Sequence, residues 1–309
     1  MNAVLIAIGA LTVDGCIGEP SRWHPLIGFG RLADRIEVWL NGAALRPWRA
    51  RAAGTLAVLL AVAPPVLAVW LLARDLPFAP VLAAALLYIV IGHRSLHEHA
   101  LAVERALRDN QLTEARQRVG EIVSRETADM DAGRIAAATV ESVLENGNDA
   151  LFGAVFWFLL AGAPGAVAFR LTNTLDAMWG YRTARYRHFG WAAARLDDLL
   201  NFVPARLTAL SYALAGHTAD ALRCWWRQAP AWDSPNAGPV MAAGAGALQI
   251  SIGGGARYHG RWHDRPVLGT GRPAALGDVR RARHLIVRAL LLWITVAAVF
   301  AILGRALHA

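Results

Sequence analysis

The chain contains no lysine, so its positive charge comes from arginine alone. Its 31 basic and 23 acidic residues give a formal net charge of +8. A Schiff base and the phosphate loop of Walker-type nucleotide sites both need a lysine side chain, and the sequence therefore excludes both. Cysteine is nearly absent as well. Cys16 and Cys224 are solitary, which fits neither a disulfide framework nor a zinc motif.

Charge is scarce, at 17% of residues, whereas 56% are apolar. A mean hydropathy of +0.35 predicts a membrane protein with sizeable polar parts. The basic excess lies beside apolar segments, where positive-inside topology explains it better than nucleic-acid binding, so we expect no nucleic-acid partner. The N-terminus lacks the basic start and cleavage site of a secretory signal, and we expect it to be retained.

Several apolar runs are candidates for membrane spans. Residues 54–73 and 285–304 are each long enough to cross a bilayer. Residues 78–92 fit the return limb of a helical hairpin whose first limb is kinked by Pro64 and Pro65. Four further runs carry a charge, a proline or glycines and could be spans, re-entrant pieces or interfacial helices: 2–18, 150–169, 202–216 and 238–254.

Arginine distribution predicts the topology. Arginines crowd residues 46–51, 182–195 and 257–283, which the positive-inside rule places in the cytoplasm. For residues 170–200 to be cytoplasmic too, residues 150–169 must dip into the membrane and return, and "AGAPG" at 161–165 supplies a breaking point. The sequence therefore predicts a re-entrant helix pair there.

Residues 93–148 alternate polar and apolar positions at helical spacing, with a break at Asp109 and Asn110, and predict a cytoplasmic helical hairpin. The expected fold is an all-α polytopic membrane protein, a single domain over residues 1–309. We expect about four to five membrane helices, with re-entrant or interfacial helices besides.

Acidic residues gather where the chain becomes apolar. In "ESVLENGNDALFGAVFW" (141–157), Glu141, Glu145 and Asp149 recur every four residues, so a helix would stack three mutually repelling carboxylates on one face. "NTLDAMWGYR" places Asn173 and Asp176 on one helical face.

A third run, "RLDDLLNFVPARLTA", places Asp197 and Asn201 together with Asp198 alongside. Oxygen ligands of this kind suit Mg²⁺ bound with phosphate. The alternative is that each acid caps a helix or pairs with an arginine. Charges beside apolar segments are costly without a purpose, which favours a site. The predicted metal ligands are Glu141, Glu145, Asp149, Asp176, Asp197 and Asp198.

Three further features could contribute. His24, before Pro25, could carry a proton or serve as a hydrogen-bonded structural histidine. "SPNAG" (234–238) predicts a tight turn. Gly253 to Gly255, followed by Arg257 and Tyr258, could form an anion-binding nest.

Together these runs resemble the CobD/CbiB family of membrane-associated adenosylcobinamide-phosphate synthases in cobalamin biosynthesis. The resemblance spans nearly the whole chain. It includes Gly18-Glu19-Pro20, His24-Pro25, "SLHEHALAVERAL", "IVSRETADMD", "ESVLENGNDALFGAVFW", "NTLDAMWGYR", "FGWAAARLDDLLNFVPARLTAL" and "SPNAG". The chain departs from the family pattern at Glu19 and Glu126, where aspartate is expected, and in "ENGNDALF", notably at Gly147 and Asn148.

The resemblance implies an inner-membrane ligase with its active site facing the cytoplasm. It would join a propionate of adenosylcobyric acid to the amine of (R)-1-amino-2-propanol O-phosphate, with ATP and Mg²⁺ as cofactors. For that reaction, the catalytic candidates are Glu141, Asp176, Asp197 and His24. The substrate-binding and phosphate-binding candidates are Asn146, Asn173, Arg182, Asn201, Arg206, Ser234 and Asn236. Whether the chain pairs with a second copy stays open.

Two other classes of membrane protein share some of these features. A membrane prenyltransferase also binds Mg²⁺-diphosphate through Asn and Asp clusters, but its denser "NDxxD" signature is missing. A transporter or signalling protein would explain acids in spans as a transport path. A transporter predicts more complete spans and an inverted repeat, neither of which the sequence shows.

Overall fold

The computed structural model describes residues 3–20, 24–42, 46–258 and 260–308, and helices dominate them. The α-helices are α1 (Ala3–Ile17), α2 (Pro25–Leu40), α3 (Pro47–Asp75), α4 (Ala79–Val90), α5 (His93–Arg108), α6 (Leu112–Gly120), α7 (Ala132–Gly147), α8 (Gly153–Trp179), α9 (Trp191–Ala215), α10 (Thr218–Gln228), α11 (Ala237–Leu248) and α12 (Leu276–His308). A π-helical turn (Asn148–Phe152) follows α7, and a 3₁₀ turn (Ala229–Ala231) follows α10. The strands are β1 (Ile250–Gly253), β2 (Ala256–Tyr258), β3 (Arg261–His263), β4 (Val267–Gly269) and β5 (Arg272–Pro273).

In the part of the chain that the structure describes, four helical stretches are long and apolar enough to cross a membrane: Pro47–Arg74, Ala79–Arg108, Ala132–Trp179 and Leu276–Gly304. The predicted spans 54–73 and 285–304 lie within the first and the last of these. The fold is an all-α polytopic membrane protein with a small strand region, which confirms the predicted fold class.

The chain forms two compact units. The first consists of residues 1–92 and 149–201, in which α8 packs against α3 and α4, and α1 packs against α4. The second consists of residues 93–148 and 202–309, in which α7 packs against α12 and β1. All twelve residues of α11 are buried, and their small side chains allow close packing against α10. The single domain expected over residues 1–309 and the cytoplasmic side of 93–148 stay predictions.

Two predicted breaks are present in the structure. Within α8 the backbone is non-helical at Ala161 and at Gly162, whose φ of 66° lies in the region that favours glycine. This confirms the breaking point expected in "AGAPG". Similarly, α5 ends at Arg108 and Asn110 adopts a left-handed φ of 55°, which confirms the break at 109–110. α3 continues through Pro64 and Pro65, and the kink expected there stays a prediction.

The strand region corrects one prediction. The apolar run 238–254 is helical only to Leu248, because Gln249 adopts a left-handed conformation and β1 begins at Ile250. β1 pairs antiparallel with β4 and parallel with β5, and β2 pairs antiparallel with β3. Strands of two to four residues are too short to show the alternation of polar and apolar side chains by which a strand is recognised. The sequence of 257–283 therefore shows little periodicity.

Candidate functional site

One cluster of polar side chains lies in the unit of residues 1–92 and 149–201, and we call it the carboxylate–amide cluster (Asn173, Asp176, Asp197, Asp198 and Asn201). Oδ1 of Asp197 accepts a hydrogen bond from Nδ2 of Asn173 at 3.2 Å. Its Oδ2 accepts one from Nδ2 of Asn201 at 3.1 Å. α8 and α9 therefore bring together residues that the sequence analysis proposed from two separate motifs.

Burial acts on both aspartates that α9 contributes to this cluster. Burial raises the pKa of Asp197 to about 6, the two carboxamide hydrogen bonds oppose the rise, and the charge of Asp198 adds to it. Burial also raises the pKa of Asp198, against the opposing charges of Arg195 and Arg182. Arg182, a predicted phosphate clamp, is exposed and supplies positive charge beside this acid.

The donor types of the cluster fit the expected metal. Asp176 lies within electrostatic range of Asp197 and Asp198, and carboxylate oxygens are the ligands that Mg²⁺ prefers. Over residues 3–20, 24–42, 46–258 and 260–308, however, no group of three or more His, Cys, Asp or Glu side chains is arranged to hold a metal ion. The six predicted ligands thus do not form one ready-made site here, and Mg²⁺ stays a prediction.

A second cluster lies in the unit of residues 93–148 and 202–309, and we call it the arginine cradle (Arg125, Arg265 and the backbone N–H of Gly253). It surrounds Glu141, whose side chain is only 3% exposed. Oε2 of Glu141 accepts hydrogen bonds from Arg265 at 2.6 Å and from Arg125, while Oε1 accepts one from Gly253 at 2.8 Å. These donors compensate a buried charge, so the predicted metal ligand is engaged by cations of the protein itself.

The cradle is held in place by further contacts. Arg265 donates to the Tyr258 hydroxyl at 2.8 Å and lies 4.8 Å from the ring centre of Trp232. Gly253 adopts a left-handed φ of 88°, which turns its N–H towards Glu141. Of the predicted anion-binding turn at 253–255, the N–H of Gly253 therefore contacts a carboxylate, whereas the N–H of Gly254 donates to the carbonyl of Pro266 at 3.2 Å. The sequence analysis missed both arginines, which are distant along the chain.

The next turn of α7 carries Glu145 and Asn146. Among the residues that the structure describes, none is recorded in a hydrogen bond or ion pair with the side chain of Glu145, although Glu141 and both cradle arginines lie within electrostatic range of it. Nδ2 of Asn146 donates to the backbone oxygen of Ser142 at 3.0 Å and to its hydroxyl at 3.1 Å. Asn146 is therefore held against its own helix.

The predicted phosphate clamp Arg206 binds the "SPNAG" turn. Its guanidinium donates to Oδ1 of Asn236 at 2.6 Å and to the carbonyl of Pro235 at 2.9 Å. The hydroxyl of Ser234 accepts hydrogen bonds from the backbone N–H groups of Asn236 and Ala237 at the start of α11. All three predicted binding residues thus come together, in an arrangement that fixes a turn.

Comparison with known proteins shows to which family the chain belongs. The family model described as CobD/Cbib protein matches residues 7–286. The chain belongs to the CobD/CbiB family. No solved structure matches it.

Relatives named cobalamin biosynthesis protein CobD match along almost their whole length. The Chromobacterium violaceum protein is 56% identical over 313 residues, covering 100% of both chains. The Stutzerimonas stutzeri protein is 57% identical over 296 residues, covering 96% of this chain and 97% of its own. The Mycobacterium tuberculosis protein is 37% identical over 294 residues, covering 91% and 90%.

Glu19, at which this chain departs from the CobD/CbiB pattern, faces a buried arginine. Glu19 and Asp149 both lie within electrostatic range of Arg170 on α8. In the described part of the chain, Nε of Arg170 is buried without a hydrogen-bond partner. Asp149, a predicted metal ligand, therefore lies near the guanidinium group of Arg170, in the unit of residues 1–92 and 149–201. Glu141 and Glu145 belong to the unit of residues 93–148 and 202–309.

The departures at Gly147 and Asn148 fit the packing of α7 against α9. A Cβ atom at Gly147 would collide with the Tyr212 hydroxyl, which donates to the carbonyl of Leu144 at 3.1 Å. Oδ1 of Asn148 accepts a hydrogen bond from Thr208 at 3.0 Å. These residues therefore have structural partners in this member of the CobD/CbiB family.

His24, the predicted proton carrier, caps α2. Its Nδ1 accepts a hydrogen bond from the backbone N–H of Leu26 at 3.2 Å. An accepting Nδ1 places the proton of a neutral imidazole on Nε2. The structure supports the structural alternative weighed for this residue, and its catalytic role stays a prediction.

Proposed function

We propose that this protein acts in cobalamin biosynthesis as an adenosylcobinamide-phosphate synthase. It would form an amide bond between a propionate side chain of adenosylcobyric acid and the amine of (R)-1-amino-2-propanol O-phosphate. Two observations support this: whole-length similarity to proteins named cobalamin biosynthesis protein CobD, and the carboxylate–amide cluster beside apolar helices. The carboxylate–amide cluster is the observation that supports the proposed amide-forming chemistry.

The reaction has two chemical demands. A carboxylate does not react with an amine at neutral pH, because its oxygen is a poor leaving group, so the acid must first be activated. ATP would supply this activation by phosphorylating the carboxylate with release of ADP, and phosphate would then leave as the C–N bond forms. The attacking nitrogen must also lose a proton, which requires a base within reach.

Asp197 is the best-placed base in the cluster. With a pKa of about 6 it is ionised at neutral pH and still able to hold a proton taken from an ammonium group. Asn173 and Asn201 orient its carboxylate through their amide hydrogen bonds. Asp197 would therefore act as the proton acceptor, with the two carboxamides as positioning residues.

Asp176 and Asp198 would hold Mg²⁺, which supplies charge neutralisation for phosphoryl groups when bound. Both carboxylates lie near Asp197, and their mutual repulsion is what a cation relieves. Arg182, which is exposed and whose charge acts on Asp198, would attract the anionic substrates. We propose an inner-membrane location with this face towards the cytoplasm, as the arginine-rich segments 46–51, 182–195 and 257–283 favour.

The test is reconstitution with purified protein. Adenosylcobyric acid, aminopropanol phosphate, ATP and Mg²⁺ should give adenosylcobinamide phosphate with one nucleotide consumed for each amide formed. Amide formation without nucleotide turnover would refute the activation step. Absence of amide from protein shown to be folded, with either the free or the phosphorylated amine, would refute the proposed reaction.

A further inference from the structure

One side of α9 carries large apolar side chains that the protein leaves exposed, and we call them the α9 stripe (Phe202, Val203, Leu207, Leu210 and Leu214). Each of them is between 38% and 57% exposed. They recur at helical spacing, so they form one continuous face of the helix. Contiguous exposed apolar surface marks a contact with lipid or with another protein. Yet α9 is not one of the four stretches that are long and apolar enough to cross a membrane.

The opposite side of α9 is polar, and its hydroxyl groups bond to the protein. The Thr208 hydroxyl donates to Oδ1 of Asn148 at 3.0 Å. The Tyr212 hydroxyl donates to the carbonyl of Leu144 at 3.1 Å. α9 therefore turns its apolar side chains outwards and satisfies its polar groups inwards, as a helix in contact with lipid must.

The backbone around Pro204 indicates the same environment. Proline has no backbone N–H, so the carbonyl of Leu200, four residues earlier, receives no helical hydrogen bond from it. The indole N–H of Trp157 donates to this carbonyl at 2.9 Å instead. Trp157 lies in the candidate span Ala132–Trp179. A side chain of a candidate membrane helix thus satisfies a carbonyl group that water would satisfy on a wet surface.

A contact with α12 indicates how deep α9 lies in the bilayer. The indole N–H of Trp293 donates to the hydroxyl of Ser211 at 2.7 Å, within the candidate span Leu276–Gly304. Arg288 is exposed and precedes Trp293 by about 8 Å along the helix axis. An exposed arginine in a membrane helix lies at the headgroup level. Ser211 therefore lies near the membrane surface and not at the centre of the bilayer.

We propose that α9 lies in the plane of the membrane interface and that the α9 stripe contacts the acyl chains of lipids. Interfacial helices bury an apolar face about 5–10 Å into the boundary between headgroups and acyl chains. An in-plane helix can keep both ends polar, and Arg195 and His217 are exposed. This orientation also keeps residues 182–195 and 257–283 on one side of the membrane, as their arginines predict.

The charge of Arg206 is compatible with this contact. Arg206 is the only charged residue between positions 199 and 216. Its guanidinium donates to Oδ1 of Asn236 at 2.6 Å and to the carbonyl of Pro235 at 2.9 Å, and it lies 3.7 Å from the ring centre of Phe202. Long arginine side chains carry their charge from an apolar surface to polar groups in this way.

Spin labelling tests the contact with lipid. In protein with Cys16 replaced, Val203→Cys and Leu214→Cys each carry a nitroxide in lipid vesicles. Oxygen, which concentrates among acyl chains, should relax these labels more strongly than a water-soluble nickel complex does. Gln117→Cys, at an exposed position of α6, is the control and should show the reverse. Nickel relaxation of the stripe labels as strong as that of the Gln117→Cys label would overturn the proposal.

The depths of the labels test the in-plane orientation. The ratio of oxygen to nickel relaxation should place Val203→Cys and Leu214→Cys at the same depth, to within about one helical turn of 5.4 Å. Leu291→Cys and Ile302→Cys are exposed positions with the same separation along α12, and their depths should differ by about 16 Å. A difference of that size within α9 would show that the helix crosses the membrane and would overturn the in-plane orientation.

Dilution of the labelled protein separates lipid from a second copy of this chain as the partner of the α9 stripe. The spectrum of labelled Leu214→Cys should not change when unlabelled protein is added in excess. Line broadening that dilution removes would place a second copy on the stripe and overturn the lipid contact. These measurements need no substrate, so their result stands whether or not the protein forms an amide.

Discussion

The carboxamide of Asn201 donates a 3.1 Å hydrogen bond to Oδ2 of Asp197, one turn earlier on the same helix. Asn173 holds the other oxygen from α8. Burial favours the protonated form of Asp197, whereas both amide donors favour the ionised form, and the resulting pKa is about 6. The two asparagines therefore control the pH at which this acid can accept a proton.

Asn201→Ala should shift the acid limb of the pH–rate profile to higher pH. Removing one donor from the ionised carboxylate raises the pKa of Asp197 further above its ordinary value. We expect kcat/KM for amide formation, measured between about pH 5 and pH 9, to fall off at higher pH than in the unaltered protein. Asn146→Ala, which loses hydrogen bonds to Ser142 and none to Asp197 in the described part of the chain, should leave the limb in place. An unmoved limb in Asn201→Ala would show that another group is the base.

The raised pKa of Asp197 also makes the stability of the folded protein depend on pH. Asp197 has a folded-state pKa raised from 3.8 to about 6, so its contribution to stability is fully present below about pH 3.8 and is lost as the pH rises through 6. Asp197→Asn removes this dependence. Between about pH 4 and pH 6, Tm of the unaltered protein should therefore decline relative to that of Asp197→Asn. Parallel Tm curves for the two proteins would contradict the raised pKa.

Asp176→Asn should abolish amide formation, with a loss of at least about 100-fold in kcat. The change removes a charge beside Asp197 and Asp198 and a proposed Mg²⁺ ligand, while it nearly preserves the shape of the side chain. Asp233→Asn, at an exposed position, is the matched control and should retain full activity. Western analysis of membranes checks that both variants accumulate equally. Full activity of Asp176→Asn would exclude a metal role for this residue.

The helical spacing of the motifs was sufficient to predict part of the site. Residues three or four apart share a helix face whatever the rest of the chain does, so Asn173 with Asp176 and Asp197 with Asn201 could be paired in advance. The break at Gly162 was likewise visible, because glycine and proline act locally.

The partners of Glu141 could not be predicted in this way. Arg125 and Arg265 lie 16 and 124 residues away along the chain, and only the tertiary fold brings them to the carboxylate. The sequence therefore indicated a metal ion where the structure supplies arginines. The short strands around Gly253 were missed for a related reason, since their pairing depends on partners beyond the strand itself.

Gly54→Ala should destabilise the first unit. A Cβ atom at Gly54 in α3 would collide with the backbone carbonyl of Phe189, which cannot rotate away as a side chain can. Overpacking of this kind costs about 1–3 kcal/mol. Gly9→Ala, in α1, meets nothing within 4 Å and should be neutral or stabilising by up to about 1 kcal/mol. Thermal unfolding in detergent compares the two, and equal Tm values would contradict the close approach.

Single-cysteine labelling should establish the orientation of the chain. Cys16 is exposed and must first be replaced, whereas Cys224 is buried. In this background Thr183→Cys and Arg261→Cys place a thiol at exposed positions of two arginine-rich segments. A membrane-impermeant maleimide should label both in inside-out vesicles and neither in intact spheroplasts, because the positive-inside rule assigns these segments to the cytoplasm.

Pro77→Cys is the opposite-side control for this orientation. Pro77 is exposed between α3 and α4, at the turn of the hairpin that the sequence predicts to cross the membrane and return. Its thiol should react in spheroplasts and be protected in inside-out vesicles. Labelling of the Pro77→Cys and Thr183→Cys thiols from the same side would contradict this hairpin. Labelling of Thr183→Cys in spheroplasts would contradict the cytoplasmic assignment of its segment.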